Sequence, residues 1–171
     1  MKRALSSMTK TELATELGLK PFQGRQLFQW IHQKRVFDFE AMTSLSKALR
    51  TELVETAIAS QLELVEMQES KVTGTKKALF RLHDGETVES VLIRDGKRTT
   101  ICVSSQVGCA LKCNFCATGL AGFTRNLTPG EIVEQVLYMV RDEPDPERTP
   151  NIVYMGMGEP MRNYDNVMAS I

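Results

Sequence analysis

The sequence predicts an α/β protein built in three stretches. Helical periodicity runs to about residue 58, whereas two Asp-Gly pairs and alternating apolar residues mark residues 59–97. Residues 98–171 follow the order strand, loop, helix, strand, loop, which is typical of parallel βα units. We therefore expect a small helical domain, a short antiparallel β meander and the beginning of a parallel α/β architecture.

Three short helices are predicted in residues 1–58. Thr9 and Glu12 fit a capping box, in which each side chain accepts a hydrogen bond from the backbone N–H of the other residue. Gly18 suits the left-handed residue that ends a helix. The apolar residues of the second and third helices are Leu27, Phe28, Trp30 and Ile31, and Leu45, Leu49 and Leu53. Such amphipathic helices are expected to share one core.

Residues 59–97 are predicted to form an antiparallel meander. Asp84-Gly85 and Asp95-Gly96 supply the positive-φ residues of tight hairpin turns. The apolar residues that alternate along the middle of this stretch are Ala78, Phe80 and Leu82. A last strand, near Arg98–Val103, leads into a group of cysteines.

A helix and a short strand are predicted beyond the cysteines. Thr128–Glu131 combines a capping box with proline at the first helical position. The apolar stripe of this helix consists of Ile132, Val133, Val136, Leu137 and Val140. Pro144 and Pro146 are expected to end the helix, and Asn151–Met155 is an apolar strand that leads into Gly156–Pro160.

The two loops that follow the predicted parallel strands are expected at one edge of the sheet. One is the cysteine-rich loop and the other is Gly156–Pro160, and loops after parallel strands carry the chemistry in such folds. Asn163–Ile171 has the pattern of another helix, and two parallel strands complete neither a barrel nor an open sheet. We therefore expect these residues to be the N-terminal portion of a longer protein.

All four cysteines fall within fifteen residues, at Cys102, Cys109, Cys113 and Cys116. Disulfide-rich domains spread their cysteines to close long loops, so this grouping indicates a shared ligand. A zinc site would use all four cysteines, and a thioredoxin-like redox pair would use only the last two. Three thiolates in one loop can also hold an iron–sulfur cluster whose fourth iron stays open. The spacing alone leaves these interpretations open.

Composition narrows the class of protein. Twenty-one basic residues balance 21 acidic ones, so bulk charge does not indicate a nucleic-acid partner. Hydrophobic residues make up 42% of the chain, which suffices for a core and excludes general disorder. We see no secretory signal pattern and no apolar run near the roughly 20 residues of a membrane-spanning helix. The sequence therefore predicts one or two domains of a cytoplasmic protein with reduced thiols.

Several motifs together resemble the RlmN family of RNA methyltransferases, within the radical S-adenosylmethionine (SAM) superfamily. The motifs are Cys102–Cys109, Cys113–Gly119, Gly122–Thr128 and Met155–Pro160, and the helical start contributes Pro21–Gln26 and Met42–Ser46. The resemblance covers essentially the whole chain. It implies an RNA-binding accessory domain in residues 1–58, an antiparallel β extension in residues 59–97, and the first part of a partial (β/α) TIM-like radical SAM barrel in residues 98–171.

The resemblance implies two cofactors. A [4Fe-4S] cluster would be held by Cys109, Cys113 and Cys116, and SAM would chelate the open iron through its amino and carboxylate groups. Gly158 and Glu159 match the positions that hold the methionine end of SAM. A glycine lets the backbone approach a ligand and a carboxylate suits an ammonium group, although a simple turn has the same composition.

The resemblance also implies a methyl-cysteine route to C2 of adenine. A cysteine in the C-terminal part of the protein receives a methyl group from one SAM, and a second SAM activates that methyl group for addition to C2. Cys102 matches the cysteine that resolves the resulting protein–RNA adduct by forming a disulfide with the methyl-carrying cysteine. Glu89 matches the proton acceptor. From the residues alone, a buried structural thiol and a solvent-facing glutamate remain alternatives.

The implied function is methylation of C2 of adenosine in 23S rRNA and in tRNA next to the anticodon. The expected partners are these RNAs and a one-electron reductant such as flavodoxin; the protein is expected to be a monomer without a membrane partner. A related resistance-type enzyme that methylates C8 and a non-catalytic four-cysteine zinc RNA-binding module are the alternatives. Because the methyl-carrying cysteine is not among these residues, the chain by itself is expected to be inactive.

Overall fold

The computed structural model describes residues 2–96, 98–141, 143 and 149–171. The chain divides into two compact units, Met1–Gln61 and Leu62–Ile171. In the described part of the chain, no helix is both long enough and apolar enough to cross a membrane.

The first unit contains the three predicted helices. These are α1 (Lys10–Glu16), α2 (Pro21–Phe28) and α3 (Lys47–Thr56). The unit also contains features with no counterpart in the sequence prediction: strands β1 (Arg3–Ala4) and β2 (Ala57–Ile58), a π-helical turn at Gln29–Gln33 and a 3₁₀ turn at Phe39–Ala41. β1 and β2 pair in parallel and so join the two ends of the unit.

Local signals set the ends of these helices. The Glu12 N–H donates to the Thr9 hydroxyl and the Thr9 N–H donates to the Glu12 carboxylate, which confirms the capping box of α1. Gly18 follows α1 with a φ of 63°, the expected left-handed conformation. The buried apolar side chains of this unit include Leu5, Leu13, Leu27, Ile31, Phe39, Met42, Leu45, Leu49 and Leu53.

A five-stranded mixed sheet lies at the centre of the second unit. Its strands, in spatial order, are β3 (Leu62–Glu69), β4 (Lys76–Leu82), β5 (Thr87–Asp95), β6 (Arg98–Cys102) and β9 (Asn151–Val153). The first four are antiparallel neighbours, whereas β6 and β9 run parallel. The predicted meander and the predicted parallel pair are both confirmed, and they form one continuous sheet.

Helix α5 (Pro129–Met139) covers one face of this sheet. Its side chains Ile132 and Met139 belong to the same buried cluster as Phe80, Leu92 and Ile101. The predicted capping box at its start is present. The predicted helix end at Pro144 and Pro146 lies outside the described residues; the helix ends at Met139, with Val140 as its cap.

Most of the predicted apolar stripe of α5 is confirmed, since Ile132, Leu137 and Val140 are buried and Val136 packs against the core. Val133 and Val136 are only partly buried, whereas Glu131, Glu134 and Gln135 are fully buried. Hydrogen bonds offset the cost of burying these polar side chains. The Glu134 carboxylate, for example, accepts from the Leu62 N–H at 3.1 Å.

Short elements surround the cysteines. Strands β7 (Gln106–Gly108) and β8 (Phe123–Asn126) pair in antiparallel fashion, and α4 (Ala117–Leu120) lies between them in the chain. The prediction that the last meander strand leads straight into the cysteines is therefore wrong, because β7 intervenes. The predicted final helix is confirmed as a 3₁₀ turn, Pro160–Asn163, followed by α6 (Tyr164–Ala169).

Candidate functional site

Two loops lie side by side beyond the carboxyl ends of β6 and β9. Cys102 at the end of β6 pairs with Val153 of β9, and the hydrogen bonding continues past both strands. The Val103 N–H donates to the Val153 carbonyl at 2.9 Å, and the Gly156 N–H donates to the Val103 carbonyl at 3.1 Å. The expectation that both special loops start at one edge of the sheet is confirmed.

The segment after β6 holds the segment after β9. The N–H groups of Ser105 and Gln106 both donate to the Met157 carbonyl, at 2.8 and 3.2 Å, and the Glu159 N–H donates to Gln106 Oε1 at 2.9 Å. Gly158 has a φ of 98°, and a Cβ there would lie 2.7 Å from the Gln106 nitrogen. Both the conformation and the close approach therefore require glycine at this position.

The Glu159 carboxylate begins the turn that follows. The Met161 N–H donates to Glu159 Oε1 at 3.0 Å, and the Glu159 side chain is partly exposed. A partly exposed carboxylate suits a ligand that carries an ammonium group.

Glu89 and Cys102 lie on the face of the sheet opposite α5. Cys102 pairs with Val91 of β5, two residues from Glu89, so all three side chains share this face. The Cα atoms of such diagonal neighbours are about 7–8 Å apart. Lys77 Nζ donates to Glu89 Oε1 at 2.9 Å, and this contact raises the pKa of Lys77. The two predicted catalytic residues are thus brought to one face by the strand register.

Burial makes the Cys102 thiol harder to ionise. Desolvation raises its pKa above the ordinary value, and a hydrogen bond from the Met155 backbone offsets part of this effect. The side chain is half-buried and the thiol is free. Cys102 is therefore a protonated thiol at neutral pH, on the same face as Glu89.

The cysteine loop, residues 109–121, projects from the β7–β8 pair. The Cys109 N–H donates to the Gly122 carbonyl at 2.7 Å and closes the base of the loop. Gly108 has a φ of 73°, and a Cβ there would collide with the Gly122 carbonyl oxygen. Only glycine permits this crossing, which fixes where the loop begins.

The tip of the cysteine loop is a tight turn. The Cys116 N–H donates to the Cys113 carbonyl at 3.1 Å, and Gly119 lies so close that a Cβ on it would be 2.9 Å from the Cys113 nitrogen. The Cys116 thiol accepts hydrogen bonds from the backbone N–H groups of Gly119 and Thr118, and these lower its pKa.

The structure brings the three predicted cluster ligands into one loop but does not bring their thiols to one point. Cys109 is buried, whereas Cys113 and Cys116 are partly exposed. Among the described residues, which include every cysteine, no three Cys, His, Asp or Glu side chains form a group that could hold a metal ion. The donor set nevertheless fits an iron–sulfur cluster in kind, because thiolates are the usual ligands of such clusters.

A buried carboxylate ties β8 to α5. Two nitrogens of Arg125 donate to the two oxygens of Glu131, each at 2.9 Å, and Arg125 Nε donates to Asp84. Glu131 is 0% exposed, and its carboxylate also accepts from the Thr128 N–H in the capping box. The hydrogen bonds to these carboxylates raise the pKa of Arg125, so the guanidinium stays charged.

Ser104, Gln106 and Gln135 hold the site together, although no sequence motif indicates this role. All three are buried. Gln135 Oε1 accepts from the Ser104 N–H at 2.8 Å, which links α5 to the segment after β6. The available signal was the spacing of Glu131, Glu134 and Gln135, which places three polar side chains on one face of an otherwise apolar helix.

Comparison with protein-family models matches residues 5–59 to the ribosomal RNA large subunit methyltransferase N-terminal domain. The chain is 46% identical over 173 residues to the probable dual-specificity RNA methyltransferase RlmN of Symbiobacterium thermophilum, covering 99% of this chain and 47% of the relative. It is 51% identical over 154 residues to the dual-specificity RNA methyltransferase RlmN of Geotalea uraniireducens, covering 90% of this chain and 43% of the relative. The chain thus spans about half the length of the curated relatives it matches.

A solved structure shares the fold. The crystal structure of a radical SAM methyltransferase from Sphaerobacter thermophilus matches with a TM-score of 0.91 and 43% sequence identity. The match covers 98% of this chain and 50% of that protein. The helical unit and the mixed sheet described above are therefore both similar to parts of a known radical SAM methyltransferase.

Proposed function

Because the chain belongs to the RlmN family, we propose that the protein is a radical SAM methyltransferase that methylates C2 of adenosine in 23S rRNA and in tRNA next to the anticodon. The relatives are named as dual-specificity RNA methyltransferases, which supports two kinds of RNA substrate. The parallel strands β6 and β9 would then begin a partial (β/α) barrel that the rest of the protein completes.

The observation that carries this proposal is the meeting of two loops at one edge of the sheet. The segment after β6, which leads through β7 to the cysteine loop, is hydrogen-bonded to the loop Gly156–Pro160, and Cys102 and Glu89 lie together on the face of the sheet opposite α5. A ligand bound between the two loops would be adjacent to both side chains. Parallel α/β folds place their chemistry at this end of the strands.

Cofactor binding is assigned to two sets of residues. Cys109, Cys113 and Cys116 would hold a [4Fe-4S] cluster as thiolates, and Gly158 and Glu159 would hold the methionine end of SAM. With SAM bound, the cluster would supply the one-electron chemistry that the unreactive C2 position of adenine requires, with an external reductant such as flavodoxin as the electron source. The Glu159 carboxylate would pair with the SAM ammonium group, and Gly158 lets the loop pack closely against Gln106, which positions that carboxylate.

Glu89 and Cys102 are assigned to the release of the product. In the covalent adduct, a methylene group joins C2 of adenine to the sulfur of a cysteine elsewhere in the protein. Glu89 would take the proton from C2 of the adduct radical as its unpaired electron passes to the cluster, which restores the aromatic ring. Cys102 then attacks that sulfur as its own thiol proton leaves. The sulfur–methylene bond breaks with its electron pair remaining on the methylene carbon, which gains a proton to become the methyl group. The two cysteines are left as a disulfide.

RNA binding is assigned in part to the first unit. Its basic side chains include Lys20, Arg25, Lys34, Arg35, Lys47 and Arg50. Lys34 Nζ lies 3.6 Å from the centre of the Trp30 ring, which places a cation and an aromatic face together. Phosphate groups and unstacked bases are bound by such side chains, so this unit is suited to guide the RNA.

The product of the reaction tests the proposal. The full-length protein, loaded with its cluster and supplied with SAM and reductant, is incubated with unmodified 23S rRNA or tRNA. Nuclease digestion and mass spectrometry are expected to find 2-methyladenosine. Methylation at C8 alone would instead identify the related C8 enzyme.

Two variants test the proposed roles of Cys102 and Cys109 separately. Cys102→Ala is expected to accumulate a covalent protein–RNA adduct, because the adduct forms before the step in which Cys102 resolves it. Cys109→Ala is expected to form no adduct, because a cluster ligand is lost. Anaerobically purified protein that contains stoichiometric zinc and no iron would contradict the proposal and favour the zinc-stabilised RNA-binding module.

A further inference from the structure

One serine hydroxyl joins three parts of the proposed site. Ser104 lies two residues after Cys102 and is fully buried. Its hydroxyl donates to the Glu89 carbonyl oxygen at 2.6 Å and accepts from the Met157 N–H at 2.9 Å. Strand β5, the end of β6 and the loop after β9 therefore meet at a single side chain.

Gln135 holds the backbone of Ser104 in place. The Ser104 N–H donates to Gln135 Oε1 at 2.8 Å, and Gln135 Nε2 donates to the Ser104 carbonyl at 3.1 Å. Gln135 Oε1 also accepts from the Ser90 hydroxyl at 2.6 Å. Gln135 therefore fixes the backbone of Ser104, and the bonds to the Glu89 carbonyl and the Met157 N–H select the position of its hydroxyl.

The Ser104 hydroxyl and two neighbouring N–H groups together bind both backbone polar groups of Met157. The Met157 carbonyl accepts from the N–H groups of Ser105 and Gln106, and the Met157 N–H donates to Ser104. Both backbone polar groups of Met157 are therefore held by consecutive residues after β6. Gly158 follows Met157 directly, so its position depends on these contacts.

We propose that Ser104 is a positioning residue, which sets the SAM-binding loop in register with the strand that carries Glu89. The inference rests on the proposed function, in which Gly158 and Glu159 hold the methionine end of SAM. A hydroxyl has one proton to donate and lone pairs to accept with, and Ser104 uses both in this contact. Its removal leaves the Met157 N–H and the Glu89 carbonyl without this partner.

Ser104→Ala and Ser90→Ala form a matched pair. Each variant removes one buried serine hydroxyl from the same hydrogen-bond network, so both are expected to lower Tm, and Ser104→Ala more because its hydroxyl forms two hydrogen bonds and that of Ser90 one. Only Ser104→Ala releases Met157. In the full-length protein loaded with its cluster, we expect the Kd for SAM to rise about tenfold in Ser104→Ala and less than about twofold in Ser90→Ala.

A second readout needs neither SAM nor the cluster. Hydrogen exchange at the Met157 amide is expected to be about tenfold faster in Ser104→Ala than in Ser90→Ala. If the alanine variant does not fold, Ser104→Thr replaces it; this variant keeps the hydroxyl and is expected to bind SAM within about twofold of the wild type. A loss of about tenfold in Ser104→Thr would overturn the inference.

The outcomes distinguish the inference from the function on which it rests. Wild-type protein that binds SAM, together with unchanged SAM binding and unchanged Met157 exchange in Ser104→Ala, overturns the inference and leaves the proposed function intact. Equal losses of SAM affinity in both variants also overturn it, because a general loss of stability would then explain them. Wild-type protein that does not bind SAM overturns the proposed function, and the inference with it.

Discussion

The two loops of the candidate site are built in different ways. The loop after β9 is packed against the sheet, and its backbone is bonded to buried residues, Met157 to Ser104 and Glu159 to Gln106. The cysteine loop is instead closed by backbone hydrogen bonds at its base and within its own turn. It projects its apolar side chains outward, and Phe115 is 88% exposed.

This difference indicates when each loop takes its working shape. Buried hydrogen bonds form as the protein folds, so the loop after β9 is preformed. Three thiols that are not gathered at one point have to be drawn together by their ligand, and metal binding then contributes to folding. Under the proposed function, the half of the site that holds SAM is preorganised and the half that holds the cluster is completed by the cluster.

The largest expected effect concerns the buried ion pair that ties β8, at the base of the cysteine loop, to α5. Arg125→Met leaves the Glu131 carboxylate, which is 0% exposed, without its cation. We expect the free energy of unfolding of the second unit to fall by about 3–5 kcal/mol in urea denaturation followed by circular dichroism. The control is Arg81→Met, which breaks an exposed pair with Glu63 and should cost about 0–1 kcal/mol. Equal losses of unfolding free energy in the two variants would contradict the claim that the buried ion pair stabilises the fold more than the exposed one.

Two glycines with similar φ values, one in the loop after β9 and one directly after the cysteine loop, allow the packing of the two regions to be compared. Gly158 and Gly122 have φ values of 98° and 88°, but a Cβ would meet the Gln106 backbone only at Gly158 and nothing within 4 Å at Gly122. Gly158→Ala is expected to cost about 2–4 kcal/mol, from strain and overpacking together. Gly122→Ala is expected to cost about 1 kcal/mol, from strain alone. Similar thermal stabilities for the two variants would show that the loop after β9 is not tightly packed.

The smallest expected effect is on thiol reactivity. Burial raises the pKa of Cys102, and backbone N–H groups lower the pKa of Cys116. The thiolate is the reactive form, so at neutral pH iodoacetamide should modify Cys116 roughly tenfold or more faster than Cys102 in metal-free protein. The gap should narrow as the pH rises, because Cys116 is then already ionised while Cys102 becomes so. Mass spectrometry of the alkylated peptides measures both rates.

The urea-unfolded chain is the control for the thiol measurement. There the two cysteines lack their folded surroundings and should react at similar rates at every pH. Equal rates in the folded protein as well would contradict the opposite pKa directions.

Features that depend on neighbouring residues could be predicted from the sequence. The capping boxes at Thr9 and Thr128 and the positive φ values at Gly85 and Gly96 each depend on a few adjacent residues, and all of them are present. The shared edge of the two loops was also predictable, because strand order and parallel pairing determine it.

Contacts between distant polar residues could not be predicted in the same way. Ser104 and Gln135 are 31 positions apart, and Ser104 and Met157 are 53 apart. Hydrophobic periodicity carries no information on which buried polar groups will pair. For the same reason, the burial of Glu134 and Gln135 on α5 could not be predicted from the apolar stripe of that helix.

Hydrogen–deuterium exchange of the full-length protein, with and without its iron–sulfur cluster, tests most directly whether one loop is preformed and the other is completed by its ligand. We predict slow exchange at the amides of Ser105, Gln106 and Met157 in both states, since each amide is hydrogen-bonded within the fold. We predict that amides in residues 110–115 become protected only after anaerobic reconstitution of the cluster. Slow exchange throughout residues 110–115 before reconstitution, or fast exchange at Met157 in either state, would contradict this division.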